Sequence, residues 1–134
     1  MSDTPTTQYD AIVIGAGFGG LYALLRLRDE LGLSVRGFDG AGGVGGTWWH
    51  NRYPGARVDA PSAPFYGYTF SKELVDEWTW TETQSTSADV LRYLDHVADR
   101  FDLRKDIEFN TRVTDARWDE DSQRWTVGTA RGDQ

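Results

Sequence analysis

The 134-residue chain contains no cysteine, which removes disulfide scaffolds, thiolate metal sites and thiol nucleophiles from consideration. It has two histidines, His50 and His96, too far apart in sequence and too short of partners to argue for a metal site. Positive charge is scarce. Fourteen Lys and Arg against 21 Asp and Glu give a formal charge of −7, so no basic stripe is available for nucleic acid or an anionic membrane surface. No long apolar run exists that could cross a bilayer. The first eight residues lack the basic and apolar regions of a secretory leader and read as a flexible N-terminus, so a cytoplasmic protein is expected. Proline is also rare: there are four, and three of them (Pro54, Pro61 and Pro64) lie in one stretch.

Apolar and aromatic residues are plentiful. Six Trp, six Tyr and six Phe in a chain that is 39% hydrophobic exclude disorder, and the length suits one domain. Twelve of the fifteen glycines fall between Gly15 and Gly55, which marks that third as the place where backbone must approach something closely. The run Gly40-Ala41-Gly42-Gly43-Val44-Gly45-Gly46 leads straight into Trp48 and Trp49, unlike a solvated linker.

Periodicity supplies the elements. Tyr9–Ile14 reads as a short strand apolar enough to be buried on both faces, as in a parallel sheet. Leu21, Leu24, Leu25 and Leu31 recur at helical spacing, with Gly32 placed to end the helix. Leu33–Asp39 resumes as a strand, although Gly37 inside it is a poor strand residue. Strand, glycine turn, helix and strand within about 30 residues make one βαβ unit. Beyond an aromatic, aperiodic stretch from Trp48 to Trp80, Thr86 with Asp89 forms a capping-box pattern. Val90, Leu91, Leu94, Val97, Ala98 and Phe101 mark one face of the helix it opens. Ile107–Phe109 reads as a further strand, and Val113–Trp118 with Trp125–Ala130 as a hairpin whose two tryptophans pack across it.

Gly15-Ala16-Gly17-Phe18-Gly19-Gly20 satisfies G-x-G-x-x-G through Gly15, Gly17 and Gly20. The first glycine permits the tight turn, the second lets backbone approach a pyrophosphate, and the third allows close packing of helix on strand. Free N–H groups at the helix start and the helix dipole then hold a dianion without any cationic cluster. Asp39, nineteen residues after Gly20, stands where an acid would bind a ribose diol. The fold class expected is α/β, a partial Rossmann-like doubly wound dinucleotide-binding domain over 9–134, incomplete, with an added β-hairpin. The glycine turn alone does not choose between NAD and FAD.

A second motif is more specific. Gly45, Gly46, Trp48, Tyr53, Pro54, Gly55 and Asp59 follow the pattern G-G-x-W, four residues, Y or F, P-G, three residues, D. In this the chain resembles the Baeyer–Villiger monooxygenases, class B flavin enzymes that insert oxygen beside a ketone carbonyl. The likeness continues through Tyr66–Phe70, Glu77–Trp80 and Leu91–Leu103. Amine- and sulfide-oxidising flavin monooxygenases share the glycine turn but generally lack this full pattern.

The resemblance implies FAD at Gly15, Gly17, Phe18, Gly19, Gly20, Asp39, Gly46, Thr47, Trp48, Asp59, Tyr66 and Val113. It further implies catalytic parts for Asp59, supporting an active-site arginine, and for Arg57, where NADPH docks. Ketone and O₂ are the implied partners. The sequence departs from the pattern between Asp59 and Tyr66, where one extra residue accompanies Pro61 and Pro64. Phe65 and Tyr66 therefore both come into reach of a flavin, with Tyr66 preferred. The second glycine turn, the linker and the arginine of the family belong beyond residue 134. The expectation is an N-terminal FAD-binding portion that does not turn over ketones by itself. A non-catalytic FAD module and an N- or S-oxidising enzyme are the competing readings.

Overall fold

The computed structural model describes residues 6–131; residues 1–5 of the expected flexible N-terminus lie outside them, and Gln8 is already tied down, accepting from Arg124 Nη1 at 3.0 Å. Strand β1 (Ala11–Ile14), helix α1 (Phe18–Leu25) and strand β2 (Val35–Phe38) form the βαβ unit. Short helices α2 (Thr47–His50), α3 (Ser62–Phe65) and α4 (Lys72–Glu77) occupy the stretch that shows no period in the sequence. Helix α5 (Ser87–Arg100) returns the chain to strand β3 (Ile107–Glu108), and β4 (Thr111–Asp119) and β5 (Arg124–Arg131) make the hairpin. Strands β1, β2 and β3 pair in that order, all parallel, with Ala11 opposite Val35 and Gly37 opposite Ile107.

The core lies where α1 and α5 meet the sheet. Leu21, Leu24 and Leu25 from α1 pack with Val90, Tyr93, Leu94, Val97 and Ala98 from α5, and with Val35 and Ile107 from the strands. Burying one such aliphatic side chain contributes about 1.5–3 kcal/mol, so this cluster outweighs the surface ion pairs as the source of stability. Gly37 suits β2 because a Cβ there would crowd Leu24 Cδ1 at 3.1 Å and Ile107 Cγ1 at 3.3 Å. Its lack of a side chain lets α1 and β3 close on the strand.

Three expectations need correction. Strand β1 is not buried on both faces: Ala11 and Val13 join the core, whereas Ile14 is 61% exposed. Side chains alternate along a strand, and α1 covers only the Ala11/Val13 face, at a strand that forms the edge of this sheet. The first helix does not run evenly to Leu31. After Leu25 it widens into a π-helical turn, Arg26–Glu30, in which Leu31 N–H reaches back to the Arg26 carbonyl. That extra residue rotates Leu31 off the apolar face, leaving it 65% exposed while Leu27 packs on the core instead. Gly32, at φ +65°, then ends the segment as expected. The capping box is half made: Thr86 Oγ1 accepts from Asp89 N–H at 3.2 Å, but the Asp89 carboxylate turns to Thr81 and Arg92.

The aromatic stretch wraps over α1 and α5. Tyr68, Trp78 and Trp80 surround Tyr93 with ring centroids 4.9–6.0 Å apart, and Phe70 closes on Phe101 at 5.3 Å. In the hairpin, Trp118 faces Trp125 across the strands at 5.5 Å. Its register slips at Thr114, where a Gly128 side chain would collide with Asp115. Among the described residues, no helix is long and apolar enough to cross a membrane.

Candidate functional site

The turn between β1 and α1 is held from three sides. Gly15, at φ +105°, donates its N–H to the Phe38 carbonyl at 2.8 Å, tying the turn to β2. A Cβ on Gly20 would stand 1.9 Å from the Gly15 carbonyl oxygen, so only glycine lets α1 start this close to the strand. Ala16 N–H donates to Asp39 Oδ2 at 2.7 Å, and Ala41 N–H donates to Asp39 Oδ1 at 2.8 Å. The acid at the end of β2 thus clasps the glycine turn to the loop that follows it. Each carboxylate oxygen keeps a second acceptor site, so the clasp leaves room for a sugar hydroxyl.

The second glycine motif docks on the first. Gly45 N–H donates to the Ala16 carbonyl at 3.0 Å. A Cβ on Gly17 would stand 3.3 Å from Gly46 Cα, and one on Gly46, itself at φ +54°, 3.0 Å from Gly17 Cα. The two motifs, far apart in sequence, meet backbone to backbone in one floor. Gly43 and Gly45 fit beneath Trp49 and Leu91, where a Cβ would come within 2.6 and 2.5 Å. The glycine-rich run is therefore a packed element and no linker.

Above this floor the front of α1 is open. No side chain caps α1, no acid occupies its first turn, and nothing lies within 4 Å of a Cβ built on Gly15 or Gly19. Uncapped N–H groups at a helix start, with the positive end of the dipole behind them, can hold an anion. Phe18 does not point into that space. Its ring packs on Tyr68 and Tyr93 at 5.3 and 6.2 Å, and its carbonyl accepts from the Tyr68 hydroxyl. Burial pushes both tyrosine hydroxyls above their ordinary pKa, so both stay protonated, Tyr68 donating to the Phe18 carbonyl and the Tyr93 hydroxyl accepting from Tyr68 N–H at 2.7 Å.

Beside the floor, Gly46 opens the turn carrying Thr47, which is exposed, and Trp48, which is half-buried. The Trp48 ring meets Tyr66 edge-on at 6.2 Å, and the Tyr66 hydroxyl donates to Asp59 Oδ1 at 2.9 Å. That hydrogen bond raises the Tyr66 phenol above its usual pKa. Phe65 is 71% exposed and joins no such cluster. Pro54-Gly55 forms a type II turn, with Gly55 at φ +85° and Ala56 N–H bonded to the Tyr53 carbonyl at 3.1 Å. Asp59 is solvent-exposed four residues further on.

Arg57 stands apart from Asp59. It lies in an antiparallel bridge with Thr86, ion-paired to Glu82 and donating to the Gln84 carbonyl at 3.0 Å. Val113, half-buried in β4, pairs with Thr129 across the hairpin. Sequence reasoning missed Tyr68 and Tyr93 as the buttress behind Phe18. Tyr93 follows Val90 by three and was legible as a member of the α5 face. Tyr68 carried no periodic signal.

Known proteins share this arrangement. Residues 13–78 match the NAD(P)-binding Rossmann-like domain. The chain is 48% identical over 130 residues to a Baeyer–Villiger monooxygenase of Pseudooceanicola batsensis, covering 97% of this chain and 24% of that protein. The chain belongs to the Baeyer–Villiger monooxygenase family. A solved structure of an oxidised steroid monooxygenase bound to NADP superposes with a TM-score of 0.90 at 58% identity, over 95% of this chain and 24% of that one. A phenazine N-monooxygenase of Lysobacter antibioticus is 48% identical over 133 residues, covering 99% of this chain and 24% of the relative. The chain thus spans about a quarter of the length of these relatives.

The residues present fit the FAD that the family implies. Three features show the fit: the open space beside Gly15 and Gly19, the lack of any side-chain cap on α1, and the close backbone contact of Gly17 with Gly46.

Proposed function

We propose that this chain is the FAD-binding portion of an NADPH-dependent monooxygenase that inserts one oxygen atom of O₂ beside a ketone carbonyl. In the overall reaction NADPH supplies two electrons, one oxygen enters the ester or lactone, and the other leaves as water. Bound FAD supplies the oxygen-activating redox chemistry, and the protein's share is binding, orientation and electrostatics.

The observation that carries the proposal is the contact of Gly17 with Gly46, which joins the two glycine motifs into one backbone floor. The N–H groups at the start of α1 would hold the pyrophosphate, and Gly19, open on its outer side, leaves that approach free. The Asp39 clasp would keep the turn in shape and offer its remaining acceptor sites to the ribose. Trp48 and Tyr66 would form an apolar wall that excludes water at the ring end, with Gly46 and Thr47 beneath it and the Val113 backbone at the adenine end. Tyr66 occupies Asp59 Oδ1 and so orients the carboxylate, whose other oxygen is left to a cationic partner. Arg57 is proposed to serve NADPH by exchanging its exposed pairing with Glu82 for a ligand phosphate or amide.

A second reading is oxygenation at nitrogen. The 48% identity to a phenazine N-monooxygenase supports it, since this part of the chain is as similar to that protein as to a Baeyer–Villiger enzyme. The test uses the product of the gene's whole reading frame, purified and assayed for flavin, NADPH consumption and product. Bound FAD with ketone-dependent NADPH use and an ester product is expected. N-oxide formation from an aromatic amine heterocycle, with ketones inert, would favour the second reading. FAD binding with no turnover on either would leave a cofactor-binding module.

A further inference from the structure

Among the described residues Arg112 is a cation without a partner, in a chain short of positive charge. Other arginines have partners: Arg26 pairs with Glu30, Arg28 with Asp106, Arg104 with Asp95 and Arg117 with Asp115, all within 3.3 Å, while Arg36 donates to the Tyr9 hydroxyl, Arg52 lies over Trp49 and Arg124 donates to Gln8. Among the described residues, the Arg112 side chain makes no ion pair, hydrogen bond or ring contact, although the protein carries a net charge of −7.

Its position is specific. The start of β4 is bonded to the loop after β2, with Thr111 N–H on the Asp39 carbonyl at 2.9 Å and Asn110 N–H on the Ala41 carbonyl at 2.9 Å. From there the Arg112 side chain folds over Gly40, and a Cβ built on Gly40 would stand 3.4 Å from Nη2 and 3.6 Å from Cζ. Gly40 follows Asp39 directly, so the guanidinium sits at the sugar end of the nucleotide site. The guanidinium therefore lies against the Gly40 backbone.

We propose that Arg112 is an adenine-binding residue whose planar guanidinium stacks on the base of the dinucleotide. The inference rests on the FAD reading above. An adenosine with its ribose at Asp39 projects its base past Gly40, and an aromatic face there meets a planar cation that no carboxylate holds away. Stacking of a guanidinium on a π-face is favourable, and it needs the plane as well as the charge. An arginine beside such an acid can instead receive a 2′-phosphate. The free acceptors of Asp39 would repel that group, so the base is the better occupant.

The test is equilibrium binding to the flavin-stripped full-length protein, with FAD, ADP, 2′,5′-ADP and inorganic pyrophosphate as probes. Arg112→Ala should weaken FAD and ADP by roughly 3- to 10-fold and leave pyrophosphate unchanged. Arg112→Lys, which keeps the charge and loses the plane, should recover less than half of that loss on a logarithmic scale. Melting temperature should change little in either variant, because no hydrogen bond or ion pair is removed and only the packing on Gly40 is lost. Equal weakening of pyrophosphate and ADP would make Arg112 a general phosphate attractor and overturn the stacking. A larger loss for 2′,5′-ADP than for ADP would overturn it in favour of a 2′-phosphate site. Unchanged FAD affinity in Arg112→Ala overturns this inference alone, whereas a parent protein that takes up no FAD overturns the cofactor reading as well.

Discussion

The glycine floor and the β4–β5 hairpin are built on opposite principles. In the floor, fit is decided between backbones: Gly15 against Gly20, at a distance no Cβ tolerates, and Gly17 against Gly46, where a Cβ would be crowded at 3.0–3.3 Å. In the hairpin nearly every side chain from Arg112 to Gln123 is exposed, and cohesion comes from the ladder and cross-strand pairs such as Trp118 with Trp125. A change of one methyl group in the floor is a collision. A change of a whole indole in the hairpin removes a contact that water can partly replace. Sensitivity to mutation should therefore track backbone proximity and not the size of the side chain lost.

The largest effect is expected at Gly20. Gly20→Ala places Cβ 1.9 Å from the Gly15 oxygen, so either the turn or α1 must move. Destabilisation of at least about 3–5 kcal/mol is expected, with loss of flavin, read by thermal melting and the absorbance of the purified protein. A variant that keeps parental melting and colour would show that the turn yields easily and would erase the contrast with the hairpin.

Asp39→Asn is next. An amide in place of the carboxylate can accept from only one of the Ala16 and Ala41 N–H groups and must face the other with its own NH₂. The expected cost is about 1–3 kcal/mol in stability, with weaker FAD binding measured by release of flavin fluorescence. If stability is unchanged and only FAD affinity falls, Asp39 serves the ligand alone and does not hold the turn.

In the hairpin, Trp125→Ala should cost only about 0.5–1.5 kcal/mol and leave FAD binding unchanged. A loss of flavin from this variant would mean that the hairpin and the floor form one cooperative unit.

Much of the floor was legible from the sequence because glycine spacing is a direct record of backbone requirement. For Gly15, Gly17, Gly20, Gly46 and the Pro54-Gly55 turn, residue type and spacing alone supply a physical reason. Helix α5 was legible for a similar reason, since its apolar face repeats for four turns. The contact between Gly17 and Gly46 was not legible, because no local rule pairs residues so far apart in the chain. The Asp39 clasp was hidden for the same reason. The sequence indicated an acid at that strand end, but only tertiary structure brings both Ala16 and Ala41 amides to it. The π-helical turn after Leu25 and the uncovered face of β1 escaped because periodicity reports which residues are apolar and not what covers them.

The central claim is that two sequence motifs make one cofactor floor, and a double-mutant cycle on Gly17→Ala and Gly46→Ala tests it most directly. FAD affinity is measured for the parent, both single variants and the double variant in the full-length protein. Because each new Cβ would press on the other residue's Cα, the effects should fail to add by at least about 1 kcal/mol. Strict additivity, within about 0.3 kcal/mol, would mean that the two glycines act separately and would contradict the shared floor.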